Sequence, residues 1–280
     1  MPEGHTIHRL ARDHAGWFAG LEVRVSSPQG RFAAAAAQLD GRTLAATDAV
    51  GKHLFHRYDD GRSVHIHLGL FGKVFHHALT DGVAAPEPRD TVRYRVEAAG
   101  PDGGHAIDLV GATACELLDE AEVDAIVARL GPDPIRADAD PERAWAALQR
   151  RSVGIGRALM DQAVLAGVGN VYRAEVLFVH GLHPDVPARE IDRETWDAMW
   201  ATLVEWLRRG VKERRIITVD PKEIGVPRSR MRRADATYAY HQEHCRRCST
   251  PIRRYDLAGR WAYACETCQP PPRRHESSRP

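Results

Sequence analysis

Apolar residues at the start of the chain recur at helical spacing. Ile7, Leu10 and Phe18 fall every three to eight residues after Pro2, on one face of a 3.6-residue period. Gly20 stands where such a helix would end, since glycine tolerates the backbone conformation that follows a last turn. The pattern therefore predicts that the chain opens directly into an amphipathic helix.

Between residues 21 and 110 the pattern changes to short β-prone runs separated by turn residues. Leu54 to Tyr58 and Val64 to Leu68 are two such runs, and Asp60-Gly61 between them is a hairpin signal. Many short strands at this spacing are typical of antiparallel sheets. We expect an antiparallel sandwich or barrel of roughly 100 residues.

Helical periodicity returns after Leu117. Helices are predicted over 119–130, 141–150, 154–166, 170–180 and 190–209. Gly131-Pro132-Asp133-Pro134 interrupts the first two and is a candidate interdomain linker. The segment 217–240 is rich in Pro, Arg and Lys with little periodicity, which predicts a mobile basic loop, and Pro270-Pro271-Pro272 begins a predicted disordered tail.

A chain of 280 residues exceeds one comfortable hydrophobic core, so several domains are expected. The predicted class is α+β multidomain: an N-terminal helix with an antiparallel β-sandwich, a helical domain, and a cysteine-containing C-terminal hairpin. The predicted boundaries are 1–118 for the sandwich domain, 119–134 for a linker helix and turn, 135–216 for the helical domain, 217–237 for the basic loop, 238–270 for the cysteine module and 271–280 for the tail.

Formal charge is strongly polarised along the chain. The net charge is +1 overall, but residues 208–280 carry +10 and the other 207 residues carry −9. A basic C-terminal third supplies counterion-release affinity for a polyanion even in a nearly neutral molecule. A solvated basic face is the alternative, and charge alone does not separate the two.

Four cysteines form the strongest chemical signal. Cys245, Cys248, Cys265 and Cys268 have the spacing C-x2-C-x16-C-x2-C, in which two tight knuckles supply four soft ligands to one tetrahedral zinc. Two disulfides are the alternative, but the rest of the chain offers only Cys115 and no secretory signal. We expect one structural zinc and no organic cofactor.

Neither a membrane span nor an export signal is visible. No apolar run approaches the roughly 20 residues that cross a bilayer, and the start of the chain has no basic region followed by an apolar stretch. The expectation is a cytoplasmic protein of bacterial type without membrane contact.

A glycine-rich turn joins two of the predicted helices. In Gly167-Val168-Gly169-Asn170 the glycines allow positive φ and close backbone approach, and Asn170 can cap the second helix and leave its first amides facing an anion. This is a candidate phosphate site. An ordinary helical hairpin also needs a glycine and a cap, so the motif alone is weak.

Several motifs occur together in one order. They are Pro2-Glu3-Gly4, Gly51-Lys52, His67-Leu68-Gly69-Leu70, Arg129-Leu130-Gly131-Pro132-Asp133-Pro134, the Leu165 to Tyr172 turn, and the Cys-Arg-Arg-Cys ribbon that ends in Cys-Glu-Thr-Cys-Gln269. Together they resemble the formamidopyrimidine-DNA glycosylase and endonuclease VIII family. The resemblance implies a β-sandwich, a helix–two-turn–helix DNA-binding domain and a zinc hairpin, and it implies a monomer that acts on damaged DNA.

The resemblance assigns chemistry to the first residues. Removal of Met1 would expose Pro2 as a secondary amine, and an α-amino group titrates near 8, so a useful fraction is neutral at pH 7. Attack on the sugar C1′ would expel the base and leave a cationic iminium, which acidifies the C2′ proton. Glu3 resembles the family's proton donor to the ring oxygen O4′. Without the other motifs, Pro2-Glu3 would be an ordinary helix start.

Five further residues match positions that contact DNA in the family. Lys52 resembles the sandwich lysine that binds phosphate and assists β-elimination. Arg260 resembles the hairpin arginine that grips phosphate and assists δ-elimination, a task that suits a bidentate guanidinium. His67, Arg129 and Asn170 resemble additional phosphate contacts.

Base excision requires the nucleotide to be flipped out and the gap to be filled. Leu70, with Phe71 beside it, matches the family's intercalation loop. The second void-filling segment of the formamidopyrimidine branch is missing, because residues 108–113 read Asp-Leu-Val-Gly-Ala-Thr. This difference favours the endonuclease VIII branch and oxidised pyrimidines. Thr6 replaces a glutamate of many relatives, which puts an accessory acid there in doubt.

The predicted function is a bifunctional DNA glycosylase and abasic-site lyase of base excision repair, which cleaves the strand by β,δ-elimination. A noncatalytic zinc-ribbon protein that binds DNA is one alternative. A metallohydrolase that uses His65 and His67 is another, although no third ligand stands at a motif spacing. Trp261, like the other five tryptophans, is predicted to pack in a core or within the hairpin.

Overall fold

Two units divide the chain, Met1–Arg129 and Leu130–Pro280. The computed structural model describes residues 2–79, 85–100 and 103–272, so positions 273–280 of the predicted tail lie outside the described residues. The predicted α+β class is confirmed, with an eight-stranded antiparallel sheet in the first unit and helices plus a short β-hairpin in the second.

The elements of the first unit are mostly strands. They are α1 (Gly4–Phe18), β1 (Leu21–Ser26), α2 (Ala33–Leu39), β2 (Arg42–Val50), β3 (His53–Tyr58), β4 (Ser63–His67), β5 (Lys73–Leu79), β6 (Val92–Gly100), β7 (Gly103–Val110), β8 (Ala114–Leu118) and α3 (Glu120–Ala128). The elements of the second unit are α4 (Pro141–Gln149), α5 (Ile155–Ala158), α6 (Asn170–Val179), α7 (Arg193–Glu213), α8 (Pro221–Ile224), β9 (Arg253–Asp256) and β10 (Trp261–Ala264).

Strand β1 is shared by the two halves of the sheet. The strand order is β5-β7-β6-β1-β2-β3-β4-β8. Leu21–Val23 pair with β2, whereas Arg24–Ser26 pair with β6. Apolar residues of both halves and of α1 form one buried core, as the alternation of inward and outward positions along strands requires. The core therefore fixes α1 against the strands that carry the predicted site residues.

Local sequence explains most boundaries of the first unit. The Asp60-Gly61 signal is confirmed as the β3–β4 hairpin, where Gly61 has φ of +83°. Helix α2 was not predicted. It coincides with the run of five alanines at 33–37, and alanine has the highest intrinsic helix propensity.

Helices α4, α6 and α7 enclose the main core of the second unit around Trp196, Tyr172 and Leu207. The prediction of one helix over 154–166 is wrong beyond Ala158. Backbone groups there bond across the chain instead, because Gly131 N donates to Gln162 O (2.8 Å) and Ala166 N donates to Pro132 O (3.0 Å). The glycine-proline segment packs against this turn, since a Cβ on Gly131 would lie 2.5 Å from the carbonyl of Val164.

The basic segment 217–240 is irregular but packed. Ile217, Val219 and Met231 are buried in a core that also contains Cys245 and Cys265. Glu175 of α6 anchors the segment's end, because its carboxylate accepts hydrogen bonds from the backbone N–H groups of Tyr238 (2.6 Å), Ala239 (2.9 Å) and Tyr240 (2.8 Å). Burial raises the pKa of Glu175, and these bonds oppose the shift. The prediction of a mobile loop does not describe this packing.

Among the described helices, none combines the length with the apolar character that a membrane span requires.

A chain of buried hydrogen bonds joins α1 to the sheet. His14 Nδ1 lies 2.9 Å from His56 Nε2, His56 Nδ1 lies 3.0 Å from the Tyr94 hydroxyl, and that hydroxyl lies 2.8 Å from the hydroxyl of Tyr58. Burial lowers the pKa of His56 to about 3. Burial, followed by the charges of His56, Arg9 and His76, lowers the pKa of His14. Both rings are therefore neutral at pH 7.

These histidines predict acid sensitivity of the first unit. An unfolded histidine titrates near 6.5, so between about pH 6.5 and about pH 3 the unfolded chain binds more protons than the folded one, and stability falls as pH falls. Each histidine contributes at most about 1.4 kcal/mol per pH unit in that window. Urea unfolding at about pH 7 and about pH 5 should show the loss, and His56→Gln should make it smaller. The control His8→Gln replaces a half-buried histidine of the same helix and should retain more of the wild-type slope than His56→Gln.

Candidate nucleic-acid interface and metal centre

Pro2 and Glu3 lie at the N-terminus of α1. Glu3 is the N-cap residue, with extended φ of −127° and ψ of 178°, and its carbonyl accepts the first hydrogen bond of the helix from Thr6 N at 2.8 Å. The Glu3 side chain is fully buried, whereas Pro2 is half-buried. The helix thus holds an enclosed carboxyl directly beside the residue predicted to be the nucleophile.

Lys52 lies in the two-residue turn that joins β2 to β3. Val50 pairs with His53 across this turn, and Gly51 has φ of +60°, which glycine adopts without strain. The local geometry therefore explains why glycine precedes the lysine: Gly51 allows the tight turn in which Lys52 lies.

His53 lies near three residues of the first unit that are predicted to contact phosphate. Its ring lies 5.0 Å from that of His67, centroid to centroid. Burial, followed by the charges of His65, His67, Arg129 and Lys52, lowers the pKa of His53 to about 3. The charges of Lys52 and Arg129 thus act on one neutral ring, and burial also lowers the pKa of the neighbouring His67. No motif in the sequence pointed to His53.

The histidines of β4 do not form a metal site. His65 Nε2 lies 2.9 Å from His53 Nδ1, and His65 Nδ1 lies 3.4 Å from a carboxylate oxygen of Glu116. Among the described residues, the one group of three or more His, Cys, Asp or Glu side chains arranged to hold a metal ion is the four-cysteine cluster. The metallohydrolase interpretation therefore has no structural support in the part of the chain that is described.

A tight loop presents Leu70 and Phe71 to solvent. Gly72 N donates to Leu68 O at 2.9 Å, and the side chains of Leu70 and Phe71 are 46% and 82% exposed. Glycine is required at two positions, since a Cβ on Gly69 would lie 1.9 Å from the Thr113 hydroxyl and one on Gly72 would lie 2.3 Å from Leu68 O. The loop leaves two large apolar side chains uncovered, as an intercalating wedge needs.

The glycine-rich turn of the second unit bonds to the C-terminal hairpin. The prediction that Asn170 caps the helix is wrong, because Gly169 is the N-cap residue and Asn170 is the first residue of α6. The Asn170 Nδ2 instead donates to the main-chain oxygen of Trp261 at 3.1 Å. Arg173 donates to the same oxygen at 2.8 Å and also to the Asn170 side-chain oxygen. Asn170 therefore positions the hairpin, and its direct contact with a phosphate stays a prediction.

Arg260 closes the turn between β9 and β10. Leu257 and Arg260 exchange backbone hydrogen bonds of 2.8 and 3.3 Å around Ala258 and Gly259, which both have positive φ. This is the geometry of a two-residue hairpin turn. Within the described part of the chain, the Arg260 guanidinium has no hydrogen bond or ion pair to a protein group, so it is available to a ligand.

The four cysteine sulfurs converge at the base of the hairpin. They all lie within 4.8 Å of one another, with separations of 3.4 Å for Cys248–Cys265, 3.5 Å for Cys248–Cys268 and 3.8 Å for Cys245–Cys268. A zinc–sulfur bond of about 2.3 Å places tetrahedral ligands about 3.8 Å apart, and no pair is at the roughly 2 Å of a disulfide. The donor set and its spacing therefore fit one tetrahedral metal.

Two family models match the chain. The formamidopyrimidine-DNA glycosylase N-terminal domain matches residues 1–110, and the formamidopyrimidine-DNA glycosylase H2TH domain matches residues 130–221. Together they account for well over half of the sequence. The chain belongs to the formamidopyrimidine-DNA glycosylase and endonuclease VIII family. The family assignment from sequence motifs is thereby confirmed.

Individual relatives lie in both branches of this DNA glycosylase family. The chain is 47% identical to the Mycobacterium tuberculosis protein "Endonuclease 8 1" over 272 residues, which cover 96% of this chain and all of that protein. It is 31% identical to a formamidopyrimidine-DNA glycosylase of Salinispora arenicola, with 98% of each chain covered. The similarity thus extends across the segment that contains the four clustered cysteines.

Solved structures share the fold. The Lactococcus lactis formamidopyrimidine-DNA glycosylase bound to DNA with an abasic site has a TM-score of 0.74 at 20% identity, covering 96% of this chain and all of that one. A structure of MutM with DNA containing carbocyclic 8-oxo-G has a TM-score of 0.75 at 22% identity, covering 96% and 100%. At this identity the comparison supports the architecture alone.

Proposed function

We propose that the chain is a bifunctional DNA glycosylase and abasic-site lyase of base excision repair. The observation that carries the proposal is the start of α1, where Pro2 directly precedes a fully buried Glu3 in a chain that belongs to this glycosylase family. A noncatalytic DNA-binding protein has no need of a carboxyl enclosed beside a candidate amine, since burying an acidic side chain costs free energy.

Pro2 is the proposed nucleophile. After loss of Met1, its secondary amine attacks C1′ of an everted nucleoside, the base leaves, and the bond formed becomes a cationic iminium. Glu3 donates a proton to O4′ as the sugar ring opens. The iminium withdraws electrons from C2′, so loss of the C2′ proton and of the 3′ phosphate can follow, and the 5′ phosphate leaves in the second elimination.

Cationic and neutral polar side chains of both units are proposed to hold the phosphates. In the first unit, Lys52 and Arg129, whose charges act on the neutral His53 ring, and the adjacent His67 would bind the backbone near the lesion. In the second unit, Arg260 is available to a phosphate and would assist δ-elimination, and Asn170 would add a contact. Leu70 would fill the gap left by the everted nucleotide.

The proposed substrates are oxidised pyrimidines and abasic sites. The absence of the second void-filling segment at 108–113 and the 47% identity to "Endonuclease 8 1" both favour the endonuclease VIII branch. Cys245, Cys248, Cys265 and Cys268 would hold one zinc, which crosslinks the ends of the hairpin and takes no part in bond cleavage.

Borohydride trapping tests the proposal. N-terminally processed protein should form a covalent complex with DNA that carries an abasic site or an oxidised pyrimidine, because borohydride reduces the iminium. An added residue before Pro2 should abolish trapping, since the nucleophilic amine is then an amide. A panel of single-lesion oligonucleotides, scored for excision and for end chemistry, would identify the preferred base. Failure of the processed protein to trap would favour the noncatalytic zinc-ribbon alternative.

A further inference from the structure

Trp261, predicted to pack in a core or within the hairpin, lies at the start of β10 with about half of its surface open to solvent. Its side chain is 48% exposed, whereas the next three residues, Ala262, Tyr263 and Ala264, are buried. The strand therefore turns one large aromatic ring to solvent directly after Arg260, while the rest of the strand is fixed in the core. A single exposed apolar residue needs no explanation by itself, but the surroundings of this one are unusual.

The backbone that carries the indole is held rigidly. The main-chain oxygen of Trp261 accepts hydrogen bonds from Asn170 Nδ2 (3.1 Å) and from Arg173 Nη2 (2.8 Å), and the Arg173 side chain is buried. Trp261 also pairs with Asp256 across the hairpin. A group fixed in this way loses little conformational entropy when a ligand binds to it.

Arg254 covers one side of the indole. Its guanidinium carbon lies 4.2 Å from the ring centroid, a cation–π distance. The exposed part of the ring is therefore the surface that Arg254 leaves open. Residues 245–268 contain five arginines against Asp256 and Glu266, so the surface around the ring attracts polyanions. An aromatic face combined with guanidinium groups is the arrangement that binds single-stranded nucleic acid, with bases on the ring and phosphates on the cations.

We propose that Trp261 is a stacking platform for an unpaired nucleobase next to the nucleotide whose phosphate Arg260 binds. This inference rests on the proposed function, which assigns Arg260 to a phosphate. A base inside a duplex already has both faces covered by its neighbours, so only a base outside the helical stack can lie on the indole. Trp261 therefore favours single-stranded or locally opened DNA over a closed duplex.

Binding by full-length variants at one fixed salt concentration tests this. The probe is an oligonucleotide with a single uncleavable tetrahydrofuran site, offered as a single strand and as the matching duplex. Stacking of one base is worth about 1–3 kcal/mol, so Trp261→Leu should weaken single-strand binding by about 5- to 150-fold. Trp261→Phe keeps an aromatic face and should stay within about 3-fold of the wild type. Duplex binding should change by less than about 3-fold in both variants.

A spectroscopic readout separates stacking from loss of apolar area. When 2-aminopurine is placed at successive positions beside the tetrahydrofuran site, its fluorescence should fall on binding at one position in the wild type, and Trp261→Leu should remove that change. Equal single-strand affinity in wild type and Trp261→Leu overturns the inference, and so does a loss that is equal on single strand and duplex. A loss in Trp261→Phe as large as in Trp261→Leu also overturns it.

Two further measurements isolate the cause of any failure. Each variant should contain as much zinc as the wild type, so an effect at position 261 is not loss of the hairpin. Wild-type protein that does not trap on abasic DNA contradicts the proposed function. If the wild-type protein does trap, but substitution of Trp261 does not change its affinity for the single strand, only the stacking platform is contradicted.

Discussion

Glu3→Gln is expected to lower excision of an oxidised pyrimidine by about 100- to 10,000-fold, the usual contribution of a general acid. Glutamine fills nearly the same buried volume but has no acidic proton for O4′. An abasic site already has an open-chain aldehyde, so its capture by Pro2 needs no base to be expelled. Borohydride trapping at a preformed abasic site should therefore be retained far better than excision of the intact damaged base.

Single-turnover excision and trapping with the same protein preparation measure this difference. Glu22→Gln is the matched control, because it neutralises an exposed carboxylate on β1 of the same unit. It should leave both reactions unchanged. An equal loss of excision and trapping in Glu3→Gln would contradict the assigned role and would point to a disturbed helix start instead.

Cys265→Ser is expected to abolish metal binding and to unfold the hairpin. Structural zinc sites contribute on the order of 10–16 kcal/mol to folding of their modules, far more than the short β9–β10 pairing could replace. Since Cys265 and Cys245 belong to the core that buries the 217–240 segment, the damage should reach that segment. Zinc content should fall from one per chain to none, and DNA affinity should fall with it.

Cys115→Ala supplies the control for a cysteine substitution. Cys115 is buried in the core of the first unit, away from the four-sulfur cluster, and its replacement should leave zinc content unchanged. Hydrogen exchange should show loss of protection in β9 and β10 of Cys265→Ser, with the strands of the first unit unaffected. A Cys265→Ser protein that keeps one zinc per chain would exclude the four-cysteine site.

Periodicity and turn chemistry were sufficient to predict the fold class. Helix α1 and the β3–β4 hairpin follow from local signals, since their apolar spacing and glycines act within a few residues. The predicted helix at 154–166 failed because its backbone groups bond to residues 131–132, a pairing about thirty positions away that no local pattern contains. Propensity is a weak prior where tertiary hydrogen bonds compete.

The candidate site was predictable only where motif and local geometry coincide. The Gly51-Lys52 turn and the four cysteines could be recognised because each is defined by spacing within the sequence itself. The role of His53 could not be found, because its neighbours Lys52, His67 and Arg129 are gathered by strand register and by α3. Trp261 was assigned to packing because exposure depends on which hairpin face meets the body of the second unit, and alternation along four residues does not decide that.

The shared hydrogen bonds to the Trp261 carbonyl make Asn170 a poor single-residue probe of phosphate recognition. Removing its amide would remove one of the two side-chain hydrogen bonds that hold the β10 backbone, so Arg260 and the neighbouring indole would both be less firmly positioned. An Asn170 variant would then show the same loss of phosphate binding as an Arg260 variant. Kinetic dissection needs a double-mutant cycle between positions 170 and 260, in which strong non-additivity would reveal a mechanical link between the turn and the hairpin.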